Sequence, residues 1–424
     1  MMAGVLPDGW PGETVVEGRT KLHLPPVTSE NGANMTGPGQ KGERSVFHNQ
    51  AMAANRTRSV LLMDYELRSG WLAGAEKDVR YLDALSASGA RAHRLCHELA
   101  PELVARLDLT LCDLDKKAIG WAEANHRENP PPPPVGFRCI VGDARQEALK
   151  QGWQWVDIDP FGSPIPFLDG VMQSTARKAV LEITATDTAA LTGSSKTALA
   201  RRYGAQARLD SLAHDTGLRI LLAVVAQAAA KHDRCIEPLL SIWDGHHLRV
   251  SVRVRRSVEG ANELDGTLGW RIAEPTEDET KEPGIPHTLV PLTYPVSRDD
   301  PRVSGPLWIG AMGDCDAMSW LTEERAMEMC APDADKDGAK EGRKMAARAV
   351  RSLSKEAQCI HIPSVYCVDH LASHLGLHSP PSPSKMATLL NGEGHLAAVA
   401  NYGKPAIRTD APWKIIEEVA SSLQ

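Results

Sequence analysis

Tyr81-Leu82-Asp83-Ala84-Leu85 is an apolar run that stops at the small-residue turn Ser86-Ala87-Ser88-Gly89, after which Ala90 to Leu99 takes up helical spacing. The same alternation repeats downstream. Leu107 to Cys112 predicts a second strand ending at Asp113, with a helix from Lys116 to Arg127 behind it. Phe137 to Val141, Trp153 to Ile158 and Lys178 to Thr184 predict three more strands. Strands alternating with helices call for a parallel, doubly wound sheet. A helix from Arg219 to Lys231 precedes two final strands, Ile236 to Ile242 and Leu248 to Val254, joined only by Trp243 to His247. A link that short leaves no room for a helical crossover, so these two are expected to pair antiparallel.

The flanks differ in character. Residues 1–43 form a polar, glycine-rich N-terminal segment, with short strands expected at Val15 to Gly18 and Lys21 to Leu24 and a mobile loop at Gly32 to Gly42. Residues 44–256 then hold the sheet domain, entered through a loop and helix from Val46 to Met63. Residues 257–300 are acidic and proline-rich and read as a linker. Residues 301–424 make a second, α+β domain. In it a helix from Ala339 to Lys355 is expected to carry Lys344, Arg348, Arg351 and Lys355 near one face. Two further helices, at Val368 to Leu375 and Ser384 to Leu390, and a hairpin around Gly403 suggest a winged-helix-like module.

Composition narrows the field. With 424 residues, 42% hydrophobic, the chain is long enough for two or three domains with a large core. A formal net charge of −7 leaves any nucleic-acid contact to a local basic face. The longest apolar stretch, Ile220 to Ala230, is interrupted by Gln227 and too short to span a bilayer, and the first residues do not read as a signal peptide. Eight cysteines without a Cys-x-x-Cys pair point to a reduced, cytoplasmic protein. Cys359, His361, Cys367 and His370 match no common zinc spacing, so no metal is expected.

Chemistry is expected beyond the carboxyl ends of the strands, where ligands of such sheets sit. The first turn offers the single glycine Gly89 instead of a Gly-x-Gly-x-x-Gly cradle, which suits a nucleotide lacking a pyrophosphate. Asp113 stands where an acid binds ribose hydroxyls, and Asp143, by side chain or through the Asp143-Ala144 backbone, where an adenine edge is read. S-adenosylmethionine has a ribose, an adenine and no phosphate. Each acid taken singly reads first as a helix N-cap after a strand, and it is three acids at three consecutive strand ends that favour a ligand. After Trp153 to Val156 comes Asp157-Ile158-Asp159-Pro160-Phe161-Gly162-Ser163-Pro164. Pro160 fixes the backbone, so the Asp159 carboxylate and the Phe161 ring keep a set relation. The ring can stack on a planar substrate while the carboxylate takes a proton from that substrate's edge. A surface turn with two solvated aspartates accounts for the same residues.

Phe47-His48-Asn49-Gln50-Ala51-Met52-Ala53-Ala54-Asn55-Arg56, Leu82 to Arg91 and the Asp157 to Pro164 block together resemble the tRNA (guanine(26)-N2)-dimethyltransferases, closest to the archaeal branch. Thr184 to Asp187, Gly305 to Gly310 and Ile407 to Pro412 look like further blocks of that family, in the same order. The resemblance implies a class I, Rossmann-like methyltransferase domain with a C-terminal domain, methyl transfer from S-adenosylmethionine to a guanine N2, and tRNA as partner, with no protein partner or membrane. Carried over by position, Arg56, Asp83, Gly89, Arg91, Asp113, Asp143 and Ala144 face the cofactor. Asp159 is the catalytic acid/base group, helped by the Pro160 carbonyl; Phe47 and Phe161 flank the base, and Asp157 is structural. Asp187 falls on the substrate side. Phosphate contacts are expected among Arg201, Arg202, Arg253, Arg255, Arg256, Lys344, Arg348, Arg351, Lys404 and Arg408.

The departures are His48, Gln50 and Ala51 where the family often has tyrosine, proline and arginine, and Thr188 where it usually has glycine. The four-cysteine zinc cluster of some members is absent. Two rivals stand beside this reading: a class I methyltransferase acting on another RNA or a small-molecule amine, and a nucleic-acid-binding protein without catalysis.

Overall fold

The computed structural model describes residues 5–26, 45–72, 78–274, 287–332 and 338–424; the loop expected at Gly32 to Gly42 lies outside them. The chain groups into two compact units, residues 1–183 with 320–351 and residues 184–319 with 352–424. This corrects the linear division at 256 and 300. Composition marks changes along the chain, whereas packing joins segments that are far apart in it. Thus Arg58 donates to the Ala349 carbonyl at 2.7 Å and Trp320 to Asp64 at 3.0 Å, tying residues 320–351 to the first unit.

In the first unit β1 (Glu13–Glu17) and β2 (Thr20–Leu24) form an antiparallel hairpin. Helix α1 (Ala53–Ser69) follows, and its buried residues include Asn55, Arg56, Arg58, Ser59, Asp64 and Glu66. A helix that is polar and buried must find partners for those groups inside the protein. Next come β3 (Val79–Asp83), helix α2 (Ala90–Glu98), β4 (Leu107–Asp113), β5 (Gly136–Val141), β6 (Trp153–Ile158) and β7 (Thr175–Ala185). The five strands lie in the order β5-β4-β3-β6-β7 and pair in parallel.

Central strands of such a sheet are covered on both faces and read as unbroken apolar runs. Tyr81, Leu82, Leu109, Leu111, Trp155, Val156 and Ile158 are accordingly fully buried, while β5, at the edge, is half-exposed. Parallel register gathers the carboxyl ends on one side: Asp83 stands opposite Leu111 and Asp157, and Asp113 opposite Val141.

The second unit contains β8 (Arg234–Trp243) and β9 (Leu248–Arg256), antiparallel as expected from the short turn. It also holds β10 (Leu268–Ala273), β11 (His287–Pro291) and β12 (Val303–Trp308), a three-stranded sheet in the order β11-β10-β12. The expected linker at 257–300 is therefore partly a sheet. The buried apolar residues described in that stretch, Leu268, Trp270 and Ala273, all sit in β10 and are diluted when the whole stretch is averaged.

The last segment runs β13 (Val365–Cys367), helix Val368–Leu375, helix Pro383–Gly392, β14 (Ala397–Asn401), β15 (Pro405–Thr409) and helix Trp413–Ser422. The helix expected from Ala339 to Lys355 ends at Val350 and belongs to the first unit; Ser352 takes a left-handed φ of 76° that breaks it. Among the described residues no helix is long and apolar enough to cross a membrane.

Candidate active site at the carboxyl ends of the strands

Where β6 ends, two aspartates diverge. Asp157 is fully buried and faces Asp83 across the sheet, while 21% of the Asp159 side chain is accessible. Neighbouring carboxylates in a core repel unless a cation stands between them. Arg91, in the first turn of α2, supplies it. Its Nε lies 3.1 Å from Asp157 Oδ2, and its Nη2 donates to Asp159 Oδ2 at 2.9 Å. Nη1 donates to Asn55 Oδ1 at 2.8 Å and Ser59 Oγ at 2.7 Å, both on α1, and Ser59 in turn hydrogen-bonds Glu182 of β7 at 3.1 Å. Burial lowers the affinity of a guanidinium for its proton, but the facing carboxylates outweigh it and keep Arg91 charged. Burial, and then the charge of Asp157, push Asp83 up to about 8, so its carboxyl carries a proton at neutral pH.

Around the first turn, the amide of Ser86 donates to Cys112 O at 2.9 Å, that of Ala87 to Asp113 Oδ2 at 2.8 Å, and that of Gly89 to Ser86 O at 2.7 Å. These three amides are used inside the protein. Gly89 serves packing: its φ is 71°, and a Cβ there would sit 2.9 Å from Leu111 Cδ2 and 3.0 Å from Ala122 Cβ. Half-buried Asp113 stays at the rim. Asp143 caps the helix Ala144–Ala148 through the Arg145 amide at 2.8 Å, and the Arg145 guanidinium engages both its oxygens. Those hydrogen bonds bring Asp143 down to about 2. The Asp143 side chain is thereby engaged within the protein.

Two expected cofactor contacts have partners within the protein. Arg91 bridges the aspartates, and Arg56, on α1, pairs with Glu17 of β1 through Nε at 2.6 Å and Nη2 at 2.5 Å, with Nη2 also on Asn49 O at 2.8 Å.

The aromatic residues form a corner. Pro160 is buried, Phe161 beside it is 55% exposed, and the Phe47 ring meets it edge to face, centroids 4.9 Å apart at 80°. Next to Phe47, His48 Nδ1 lies 3.1 Å from Ser88 Oγ, and the Asn49 side chain accepts from the Ala51 amide at 2.9 Å. An exposed ring face, a second ring at right angles and a pinned carboxylate suit a flat base with an edge amine.

The second unit treats its three expected substrate residues differently. Asp187 accepts from Tyr203 Oη at 2.6 Å and Arg202 Nη1 at 3.1 Å, with 9% of its side chain accessible. Lys404 is exposed in the β14–β15 turn. Arg408 is a correction. It is fully buried, donating to Glu356 Oε1 at 3.0 Å, Ile362 O at 2.6 Å and Tyr402 Oη at 3.1 Å, and so cannot reach a phosphate. A charged residue in an alternating strand reads as exposed until its buried acid is known.

Sequence reasoning missed Glu17, Asn55 and Ser59. The signals were slight: an acid closing the run Val15-Val16-Glu17-Gly18, and two polar residues four apart on one face of an otherwise buried helix. Among the described residues no group of three or more His, Cys, Asp or Glu side chains could hold a metal ion.

Residues 28–421 match the family model described as N2,N2-dimethylguanosine tRNA methyltransferase. The tRNA (guanine(26)-N(2))-dimethyltransferase of Methanosphaerula palustris is 30% identical over 417 residues, covering 96% of this chain and 98% of that protein. Its namesake in Thermococcus kodakarensis is 29% identical over 393 residues, 89% of this chain and 93% of the other. Among solved structures, Trm1 from Pyrococcus horikoshii in complex with S-adenosyl-L-methionine superposes with a TM-score of 0.75 at 24% identity, over 96% of this chain and 99% of that one. That likeness establishes the fold, a Rossmann-like class I methyltransferase with a C-terminal domain.

Proposed function

The chain belongs to the N2,N2-dimethylguanosine tRNA methyltransferase family, and we propose from this that it transfers one or two methyl groups from S-adenosyl-L-methionine to the exocyclic N2 of guanine 26 in tRNA. The observation that carries the reading is the corner at the end of β6, where Arg91 holds Asp159 at 2.9 Å beside the half-exposed Phe161 ring. When bound, S-adenosyl-L-methionine supplies an electrophilic methyl group. Asp113, Gly89 and the Asp143-Ala144 backbone are the residues that would hold its nucleoside, with Asp83, Arg56 and Arg91 behind them.

The N2 amine of guanine is a weak nucleophile because its lone pair is delocalised into the ring. Asp159 accepts the proton that the amine sheds, the Pro160 carbonyl receives its second N–H, and Phe161 with Phe47 holds the flipped base so that both contacts form together. A positioned carboxylate contributes roughly 10²–10⁴-fold. The tRNA backbone is gripped by exposed cations such as Lys404, Arg201 and Arg256, and the helix–helix–hairpin order after β13 serves as a winged-helix-like platform. Eight thiols, all free, support a reducing, cytoplasmic setting.

The test is methyl incorporation into unmodified tRNA from labelled S-adenosyl-L-methionine, followed by nucleoside analysis. N2-methylguanosines mapped to position 26 are expected; a labelled product elsewhere, or none despite cofactor binding, overturns the reading.

A further inference from the structure

We propose that Glu17, on the N-terminal hairpin, is a positioning residue for the aromatic corner, acting through the loop that carries Phe47; this rests on the methyl-transfer reading above. Glu17 is 6% exposed and stands outside the parallel sheet, yet the side chains of Arg56, Arg94 and His48 converge on its carboxylate. Arg56 binds both its oxygens at 2.6 and 2.5 Å, Arg94 Nη1 donates to Oε1 at 3.2 Å, and His48 Nε2 lies 3.7 Å from Oε2. Arg94 is otherwise taken up by Glu98, Thr57 and Ala53 O, so its direction is fixed by α1 and α2.

Glu17 is thereby held, and it holds in turn. Arg56, oriented by the carboxylate, donates to Asn49 O at 2.8 Å. His48, next in the chain, faces Glu17 on one side and Ser88 on the other. Phe47 then meets Phe161, two residues past Asp159. Consecutive residues Phe47, His48 and Asn49 are thus fixed at three points, two of which depend on one carboxylate. The turn after Glu17 requires glycine: Gly18 has φ 61°, and a Cβ there would come 2.0 Å from Glu98 Oε1. The hairpin therefore seats against α2 in one way, and the carboxylate arrives at one place.

A base slot that is loosened by an ångström loses rate before it loses cofactor affinity. For the Glu17→Gln enzyme, single-turnover methylation of a tRNA transcript with labelled S-adenosyl-L-methionine should fall roughly 10²-fold. The Kd for S-adenosylhomocysteine should change by less than about threefold. In a Phe47→Ala background the same substitution should cost little more, because the loop's ring is already gone. An equal loss in both backgrounds, or no loss in the first, overturns the proposal. Amide hydrogen exchange judges it without tRNA: Glu17→Gln should speed exchange in residues 45–52 and leave 107–113 protected, and unchanged protection at 45–52 overturns it. If wild-type enzyme makes no N2-methylguanosine, the functional reading fails while the exchange result still decides the role of Glu17. Should Glu17→Gln not fold by circular dichroism, Glu17→Asp, which keeps the charge and shortens the reach, is read the same way.

Discussion

Arg91 Nη2 lies 2.9 Å from Asp159 Oδ2 while Nε of the same guanidinium lies 3.1 Å from Asp157 Oδ2, so a single cation fixes an accessible carboxylate by reference to a fully buried one. Arg91→Met would leave Asp157 in the core without its charge partner. Breaking a buried pair in this way costs about 3–5 kcal/mol. The urea midpoint of the variant should fall accordingly, and a loss below about 1 kcal/mol would mean that the pair carries no such load.

Asp159→Asn keeps the shape of the side chain and an oxygen for Arg91 but removes the proton acceptor. Transfer in a single turnover should drop about 10²–10⁴-fold, with tRNA and cofactor affinities changed less than about threefold. Near-normal turnover in a folded variant would exclude Asp159 as the base.

Phe161→Ala removes a ring that is 55% exposed, so stability should change little. Stacking on an aromatic is worth roughly 1–3 kcal/mol per base, and that loss should appear in KM for tRNA or in equilibrium binding. Equal affinity of the two proteins would remove Phe161 from the base platform.

Asp83 is lifted from an ordinary value of 3.8 to about 8 by burial and by the neighbouring Asp157. The folded protein therefore holds a proton that the unfolded chain has released. The contribution of Asp83 to stability should be greatest below about pH 4, fall by up to ~1.4 kcal/mol per pH unit between the two values, and level off above about pH 8. Glu17 has the opposite sign: burial would raise it, but Arg56 and Arg94 bring it to about 2, so its contribution is present above 4.5 and lost as pH falls below that. Between pH 5 and 8 only the Asp83 slope should remain of these two, and denaturation of Asp83→Asn across that window should be flatter than wild type.

Arg408 and Lys404 should separate by phenotype. Arg408→Ala leaves Glu356 buried without its guanidinium and should destabilise by about 3–5 kcal/mol, with tRNA affinity per folded molecule unchanged. Lys404→Ala should leave the fold intact, weaken tRNA binding and reduce the salt slope by about one. A salt slope unchanged in Lys404→Ala would remove that residue from the interface.

The sheet was readable because central parallel strands are buried on both faces, so β3, β4 and β6 stand out as apolar runs with an acid at or just past each end. β10 escaped notice inside an acidic, proline-rich stretch whose average hides six residues. At the site, Asp159, Pro160 and Phe161 are adjacent in the chain, and local chemistry was enough to single them out. The partners of Arg91 come from α1, β6 and the loop after it, with Ser59 leading on to β7, and no spacing rule connects them. Arg408 misled for the same reason in reverse: its acid, Glu356, lies 52 positions earlier.

Because residues 320–351 pack into the first unit, that unit is not finished when its fifth strand leaves the ribosome. Arg58 waits for the Ala349 carbonyl, Asp64 for Trp320, and Arg19 for the carbonyls of Glu328 and Ala331 at the end of the helix Glu323–Cys330. During synthesis the nascent first unit lacks these partners until residues 320–351 have emerged. Cutting the gene near codon 300 would yield not a minimal catalytic fragment but a unit missing its closing segment.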